Sequence, residues 1–252
     1  MTDTLAHAAI FEKAWNDPAT TSVELPPVAV NDVLRDRYDI RPPIAYTGTQ
    51  LWDMEVRKAA APDKYIPTVV RPGSAEKFPS VHNGRLEDFT RVSDQRLWAD
   101  PDQYTTVIEH VRLDHENRRA FFLGAESFEA PDGRHFTAGT GQPIFHVEHS
   151  VGGTEAAPLN LWRIVLLTET PDPALAAAFD QLANDRYLPV IVSAIARSCL
   201  TWALVRPGQD RFAREPLLER QDAVDEIEAC RSQHGLVGAA LARGGVTTQQ
   251  AG

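Results

Sequence analysis

Four runs rich in β-branched and aromatic residues follow one another through the middle of the chain: "YTTVIEHVRL" at 104–113, "RAFFLGAESF" at 119–128, "PIFHVEHSV" at 143–151 and "LNLWRIVLL" at 159–167. Side chains of these types suit a pleated, half-buried backbone. The runs are joined by "DHENR", "APDGRHFTAGTGQ" and "GGTEAAP". Parallel neighbours need a longer, usually helical crossover, so these connections predict four consecutive antiparallel strands.

Helical periodicity surrounds this block. Residues 4–16 place Ala8, Phe11 and Trp15 on one stripe, and "NDPATTSVELPP" ends that helix. A second helix is predicted near "VNDVLRDRY", stopped by Pro42 and Pro43. A third runs through "TQLWDMEVRKAAA" to Ala61 and is broken by Pro62, Pro67 and Pro72. "EKFPSVHNGRLEDF" reads as a loop with an Asn83-Gly84 turn. After the strands, Asp172 and Pro173 mark the start of a helix carrying Leu175, Phe179 and Leu182. A fifth strand is expected at 198–205 and a last helix over 220–235, capped by Gly235. The expected organisation is an N-terminal helical arm at 1–43, a single α+β domain at 44–243 and a disordered tail at 244–252.

A chain of 252 residues can bury roughly 70% of its unfolded surface without staples. Its net charge of −10, with no extended Lys/Arg cluster, removes the basis for nucleic-acid binding. There is no uninterrupted apolar stretch long enough for a membrane span. Cys199 and Cys230 are too few for a disulfide framework, and the first residues lack a signal-peptide pattern, so a cytoplasmic protein with reduced thiols is expected.

Strand pleating sorts the side chains by face. Val107, Glu109, Val111 and Leu113 share one face; Phe145, Val147, His149 and Val151 share another. Glu126 falls with Ala120, Phe122 and Phe128, and Arg163 with Leu159, Leu161, Val165 and Leu167. Each strand therefore carries one ionisable group among apolar neighbours. Such a group must find a partner or open onto a wet cavity. A pocket lined by them would let His149, with Glu109 or Glu126, carry out proton transfer, while Arg163 binds an anionic substrate group. Trp162 and Trp202 are candidate aromatic lining. The alternative is that Glu109, Glu126 and Arg163 pair structurally and His149 is a satisfied core histidine.

"HVEH" is a poor metal motif, because His146 and His149 point to opposite faces of a regular strand. A metal or haem site would instead draw on His146 and Glu148 with His110 or His115. Neither the G-x-S-x-G elbow nor a strand–GxGxxG–helix fingerprint is present.

The segments "VLLTETPDP", "FDQLANDRYLP" and "CLTWALV", within 160–206, resemble the ferredoxin-like modules of the dimeric α/β-barrel superfamily, in particular its EthD-like branch. Tyr187 stands where that branch often has histidine, and no third and fourth strand follow residue 206. The resemblance implies a ferredoxin-like α/β barrel, compatible with a homodimer, and places Tyr187 beside the substrate. It also implies cofactor-independent chemistry on aromatic or polyketide-like small molecules. The expected function is thus an isomerase, cyclase or lyase using general acid–base chemistry and no cofactor. The alternatives are a non-catalytic ligand carrier of helix-grip type and a metal- or haem-dependent enzyme.

Overall fold

The strands expected at 104–113, 143–151 and 159–167 are present, and the one expected at 119–128 is divided at Glu126, in a computed structural model of the chain, which describes residues 6–37, 45–98, 100 and 102–184. In chain order the elements are α1 (Ala6–Trp15), β1 (Thr21–Ala29), α2 (Val30–Arg37), α3 (Gly48–Ala60) and the short α4 (Pro62–Tyr65). Then come β2 (Glu76–Lys77), β3 (Val81–Asn83), β4 (Leu86–Arg96), β5 (Tyr104–Asp114) and β6 (Arg119–Ala125). They are followed by β7 (Ser127–Glu129), β8 (His135–Thr137), β9 (Phe145–Gly153), β10 (Pro158–Leu166) and α5 (Pro173–Asn184).

The main sheet has eight strands in the order β1-β10-β9-β6-β5-β4-β2, with β3 also on β4, and all its pairs are antiparallel. The four expected strands are β5, β6, β9 and β10, adjacent in that order. Among the described residues the chain is therefore α+β, with a large antiparallel sheet and few helices. A ferredoxin-like β-α-β-β-α-β unit is not what residues 160–184 build. Instead β10 returns to pair with β1, and the sheet is a meander completed by its N-terminal strand. The strand expected at 198–205 and the helix expected at 220–235 lie outside the described residues, as do Tyr187 and Trp202.

The segment "EKFPSVHNGRLEDF", expected as a loop, holds the short strands β2 and β3 and the start of β4, and β8 lies in the expected connection 130–142; two longer strands also arise where none was expected. In β1, Val23 and Leu25 alternate inward with exposed Ser22 and Glu24, and Pro26-Pro27 coincide with a register shift between Leu25 and Val28. Proline cannot donate to a ladder, but an edge strand with a bulge tolerates it. The segment taken as a helical arm thus supplies a sheet strand. The second is β4, whose buried side chains include Glu87, Arg91, Ser93 and Gln95. With polar groups turned inward, it lacks the apolar alternation by which strands are recognised.

The sheet separates two layers. Its inner face packs on α2, α3 and α5 through a core that includes Val23, Leu34, Leu51, Met54, Phe122, Val147, Ile164 and Phe179. Its outer face is covered by α1, where Phe11 meets Phe121, Leu123 and Val165, and by the β7–β8 hairpin, where Phe128 and Phe136 meet Phe78. Thr47 and Gln50 form a capping box at the start of α3. Asp172 caps α5, its Oδ1 accepting from the backbone of Ala174 and Leu175 at 3.0 Å. Among the described residues no helix is long and apolar enough to cross a membrane.

Close packing leaves no room for a side chain at Gly124. A Cβ on Gly124, at the end of β6, would lie 2.4 Å from the Phe145 carbonyl oxygen and 2.8 Å from Ile144 Cγ2. Gly124→Ala should cost about 1–3 kcal/mol in chemical denaturation, the range for overpacking a rigid site. A midpoint equal to wild type would show that β9 does not approach β6 so closely.

Candidate functional site

The register puts His149 between Trp162 of β10 and Ala120 of β6, with its ring on the inner face. Across from it, α3 turns two charged residues into the core. Glu55 is fully buried and Lys58 is 3% exposed. Lys58 Nζ donates to Glu55 Oε2 at 2.5 Å, and His149 Nδ1 stands 3.1 Å from the same oxygen and 3.0 Å from the ammonium. The second oxygen of Glu55 accepts from Asn160 Nδ2 at 3.0 Å, and Asn160 Oδ1 in turn accepts from the Trp162 indole at 2.6 Å. The His149 ring lies nearly parallel to Trp162, with centroids 4.9 Å apart, and 5.1 Å from Phe122.

These contacts decide the charge states. Burial pushes the His149 imidazole down to about 4, Lys58 adding to the push while Glu55 opposes it. For Glu55, burial works upward, but the Lys58 charge and the contact with His149 prevail and hold the carboxyl at about 2. Near neutral pH Glu55 is thus a carboxylate and His149 a neutral imidazole, both in contact with Lys58. Pairing offsets the large cost of taking either ion from water alone. Both polar contacts of His149 use Nδ1, and Nε2 has no hydrogen-bond partner among the described residues.

A second buried pair adjoins the first. Arg91 Nε donates to Glu109 Oε2 at 2.7 Å, and its Nη1 donates at 2.8 Å to the carbonyl of Ala59, in the last turn of α3. A cation at a helix C-terminus is favoured by the macrodipole. The Arg91 guanidinium also stacks on Phe122, 4.5 Å from its centroid, so Phe122 touches both networks. Gln95 Nε2 donates to Glu109 Oε2 at 3.1 Å and to Ser93 Oγ at 3.3 Å.

His149, Glu109 and Trp162 therefore share the inner face. Arg163 and Glu126 do not join them. Arg163 projects to the outer face, where its Nε donates to Glu148 Oε2 at 2.6 Å and its Nη2 to Glu12 Oε1 at 2.5 Å. Its work is to fasten α1 to the sheet, with Arg119 bonded to the other oxygen of Glu148. Glu126 is an exposed bend between β6 and β7, because the ladder from β5 ends at Ala125 and strand parity is lost there.

The alternative metal residues are scattered. His110 bonds Thr90 Oγ1 at 2.9 Å and His146 accepts from the Gly124 amide at 3.1 Å, both on the outer face and both pushed below the ordinary histidine value by burial. His115, beyond the end of β5, accepts from Trp52 Nε1 at 3.3 Å, and Glu148 is held by its arginines. Among the described residues no group of three His, Cys, Asp or Glu side chains could hold a metal ion.

Sequence reasoning missed Glu55, Lys58, Asn160, Arg91, Ser93 and Gln95. One signal was available. Leu51, Met54, Glu55 and Lys58 lie at i, i+3, i+4 and i+7, so an opposite-charge pair occupies the apolar stripe of α3.

No protein-family model matches the chain, and no curated protein matches it. Solved structures with a similar course include Ara h 8.0201, at 9% identity and a TM-score of 0.45 over 73% of this chain and 99% of that one. The Zhui aromatase/cyclase from Streptomyces sp. R1128 is similar at 10% identity and a TM-score of 0.44, over 71% of this chain and 93% of the other. Ginseng major latex-like protein 151 from Panax ginseng is similar at 10% identity and a TM-score of 0.34, over 73% of this chain and 95% of its own.

Proposed function

We propose that the protein binds a small, largely apolar molecule between the inner face of the sheet and α5, in a helix-grip arrangement, with His149 Nε2 meeting a polar atom of the ligand. The observation that carries this reading is the division of labour on the imidazole. Nδ1 is committed to Glu55 and Lys58, while Nε2 is left without a partner among the described residues. A ring fixed by Trp162, Phe122 and two buried ions is preorganised, which lowers the entropic cost of ligand binding.

A catalytic version is favoured by the Lys58 ammonium behind Nδ1. When Lys58 donates to Nδ1, the proton of the neutral ring sits on Nε2, which is then a hydrogen-bond donor. A neutral imidazole of low basicity can polarise a carbonyl oxygen and stabilise the enolate that forms as a solvent water or hydroxide takes the α-proton, solvent returning a proton to carbon afterwards. That would serve isomerisation, cyclisation or dehydration of an aromatic or polyketide-like ketone without a cofactor.

The test uses 2-tetralone, an apolar bicyclic ketone. Calorimetric titration of the full chain should give saturable one-to-one binding that weakens about tenfold in His149→Ala, the loss expected for one buried hydrogen bond. Absence of saturation would remove the binding site. Under the catalytic version, wild type should also accelerate exchange of the tetralone α-protons with deuterium oxide, followed by NMR, and His149→Ala should not. Binding without accelerated exchange leaves the carrier reading alone.

A further inference from the structure

The second buried network contains an incomplete hydrogen-bond set. Glu109 is 3% exposed and Ser93 1%, yet neither is fully used. Glu109 accepts both of its hydrogen bonds, from Arg91 and Gln95, at Oε2. Its Oε1 has no partner among the described residues, and neither does the hydrogen of the Ser93 hydroxyl, whose oxygen accepts from Gln95. The two groups are neighbours, because the same Gln95 nitrogen reaches Glu109 at 3.1 Å and Ser93 at 3.3 Å. A carboxylate oxygen and a hydroxyl hydrogen without protein partners, on side chains this enclosed, suit a bound water or ligand group.

We propose that Glu109 Oε1 and the Ser93 hydroxyl together recognise a hydroxyl group on the ligand, the carboxylate accepting its proton and the serine donating to its oxygen. A hydroxyl is the simplest group that is donor and acceptor at once. An ammonium fits less well, since Arg91 already lies 2.7 Å from the carboxylate and a second cation would be repelled. An ether or a bare hydrocarbon cannot supply the donor that Oε1 lacks.

The surroundings argue for an aromatic alcohol. In the ladder, Glu109 faces Gly124, which offers no side chain, and beyond Gly124 lies the start of β9 at Phe145. Trp98 packs on Phe145 with centroids 5.1 Å apart, and Phe179 of α5 packs edge-on against Trp98 at 4.1 Å. A flat ring passing beneath α5 would therefore meet aromatic walls before its hydroxyl reached the polar niche. This assignment rests on the proposed ligand site under α5, but it concerns a different anchor from His149.

The experiment compares 2-naphthol with 2-methoxynaphthalene and naphthalene by titration calorimetry on the full chain. Wild type should bind the naphthol about tenfold more tightly than the ether, as expected for a hydrogen bond to a charged group. Ser93→Ala, which leaves the Arg91–Glu109 pair intact, should remove most of that preference, and Glu109→Gln should remove it as well. Equal affinity for naphthol and ether in wild type would overturn the proposal, as would a preference that survives Ser93→Ala. If Glu109→Gln does not fold, Ser93→Ala alone decides. Binding of 2-tetralone without a naphthol preference would sink this inference and leave the proposed function standing. Failure of all four compounds to bind would sink both.

Discussion

Glu55→Ala should lower the stability of the protein by about 3–5 kcal/mol, the cost of leaving one member of a buried ion pair without its partner. The carboxylate has no exposure and accepts from Lys58 and Asn160, while His149 Nδ1 lies 3.1 Å away. Removing it takes the carboxylate away from a lysine that is 3% exposed and the acceptor away from an amide that is 1% exposed. Urea denaturation should show the whole loss in the midpoint, with little change in slope. The double replacement Glu55→Leu with Lys58→Met should recover most of it, because two neutral side chains of similar volume need no compensating charge. A Glu55→Ala protein within about 1 kcal/mol of wild type would mean that water reaches the cluster of Glu55, Lys58 and His149, contrary to the burial on which its chemistry depends.

Acid should destabilise the fold in two stages. His149 is held at about 4 in the folded protein against 6.5 for a free imidazole, chiefly by burial. The unfolded chain therefore takes up a proton that the folded chain refuses. The stability contributed by the neutral ring is complete above pH 6.5 and disappears as the pH falls from 6.5 to 4. For His149 alone the difference corresponds to about 3 kcal/mol at neutral pH. His7 in α1 adds to the same window, because burial first and the nearby Arg112 second bring it to about 4, with Asp88 opposing and His110 adding a little. Glu55 acts lower down, its contribution being present above pH 4.5 and lost toward pH 2. Urea midpoints measured from pH 7.5 to pH 3.5 should decline from pH 6.5 downward, and His149→Gln should flatten that decline. A midpoint constant between pH 7 and pH 4.5 would contradict the burial of both histidines.

The legible parts of the site follow from where the information lies. Parity along β9 and β5 put His149 and Glu109 on the core side, because a strand has a period of two whatever its neighbours are. The same rule misjudged Glu126, since parity holds only while the ladder continues, and the ladder stops at Ala125. It assigned Arg163 to its own face correctly, yet both faces of this sheet are covered, so an arginine among apolar neighbours meets α1 instead of a ligand. Tyr187 and Trp202 fall outside the described residues.

Local pattern alone determined the four central strands, their antiparallel order and the helix start at Asp172, because pleating, turn length and capping involve residues close together in the chain. Tertiary structure alone decided that β1 closes the sheet against β10, that α3 delivers Glu55 and Lys58 to His149, and that Arg91 reaches Glu109 from the neighbouring strand. Glu55 and His149 are 94 residues apart, and the contact they share exists only where burial makes a partner obligatory. A charge on an apolar stripe announces that it needs a partner; which residue answers depends on the layer that packs above it.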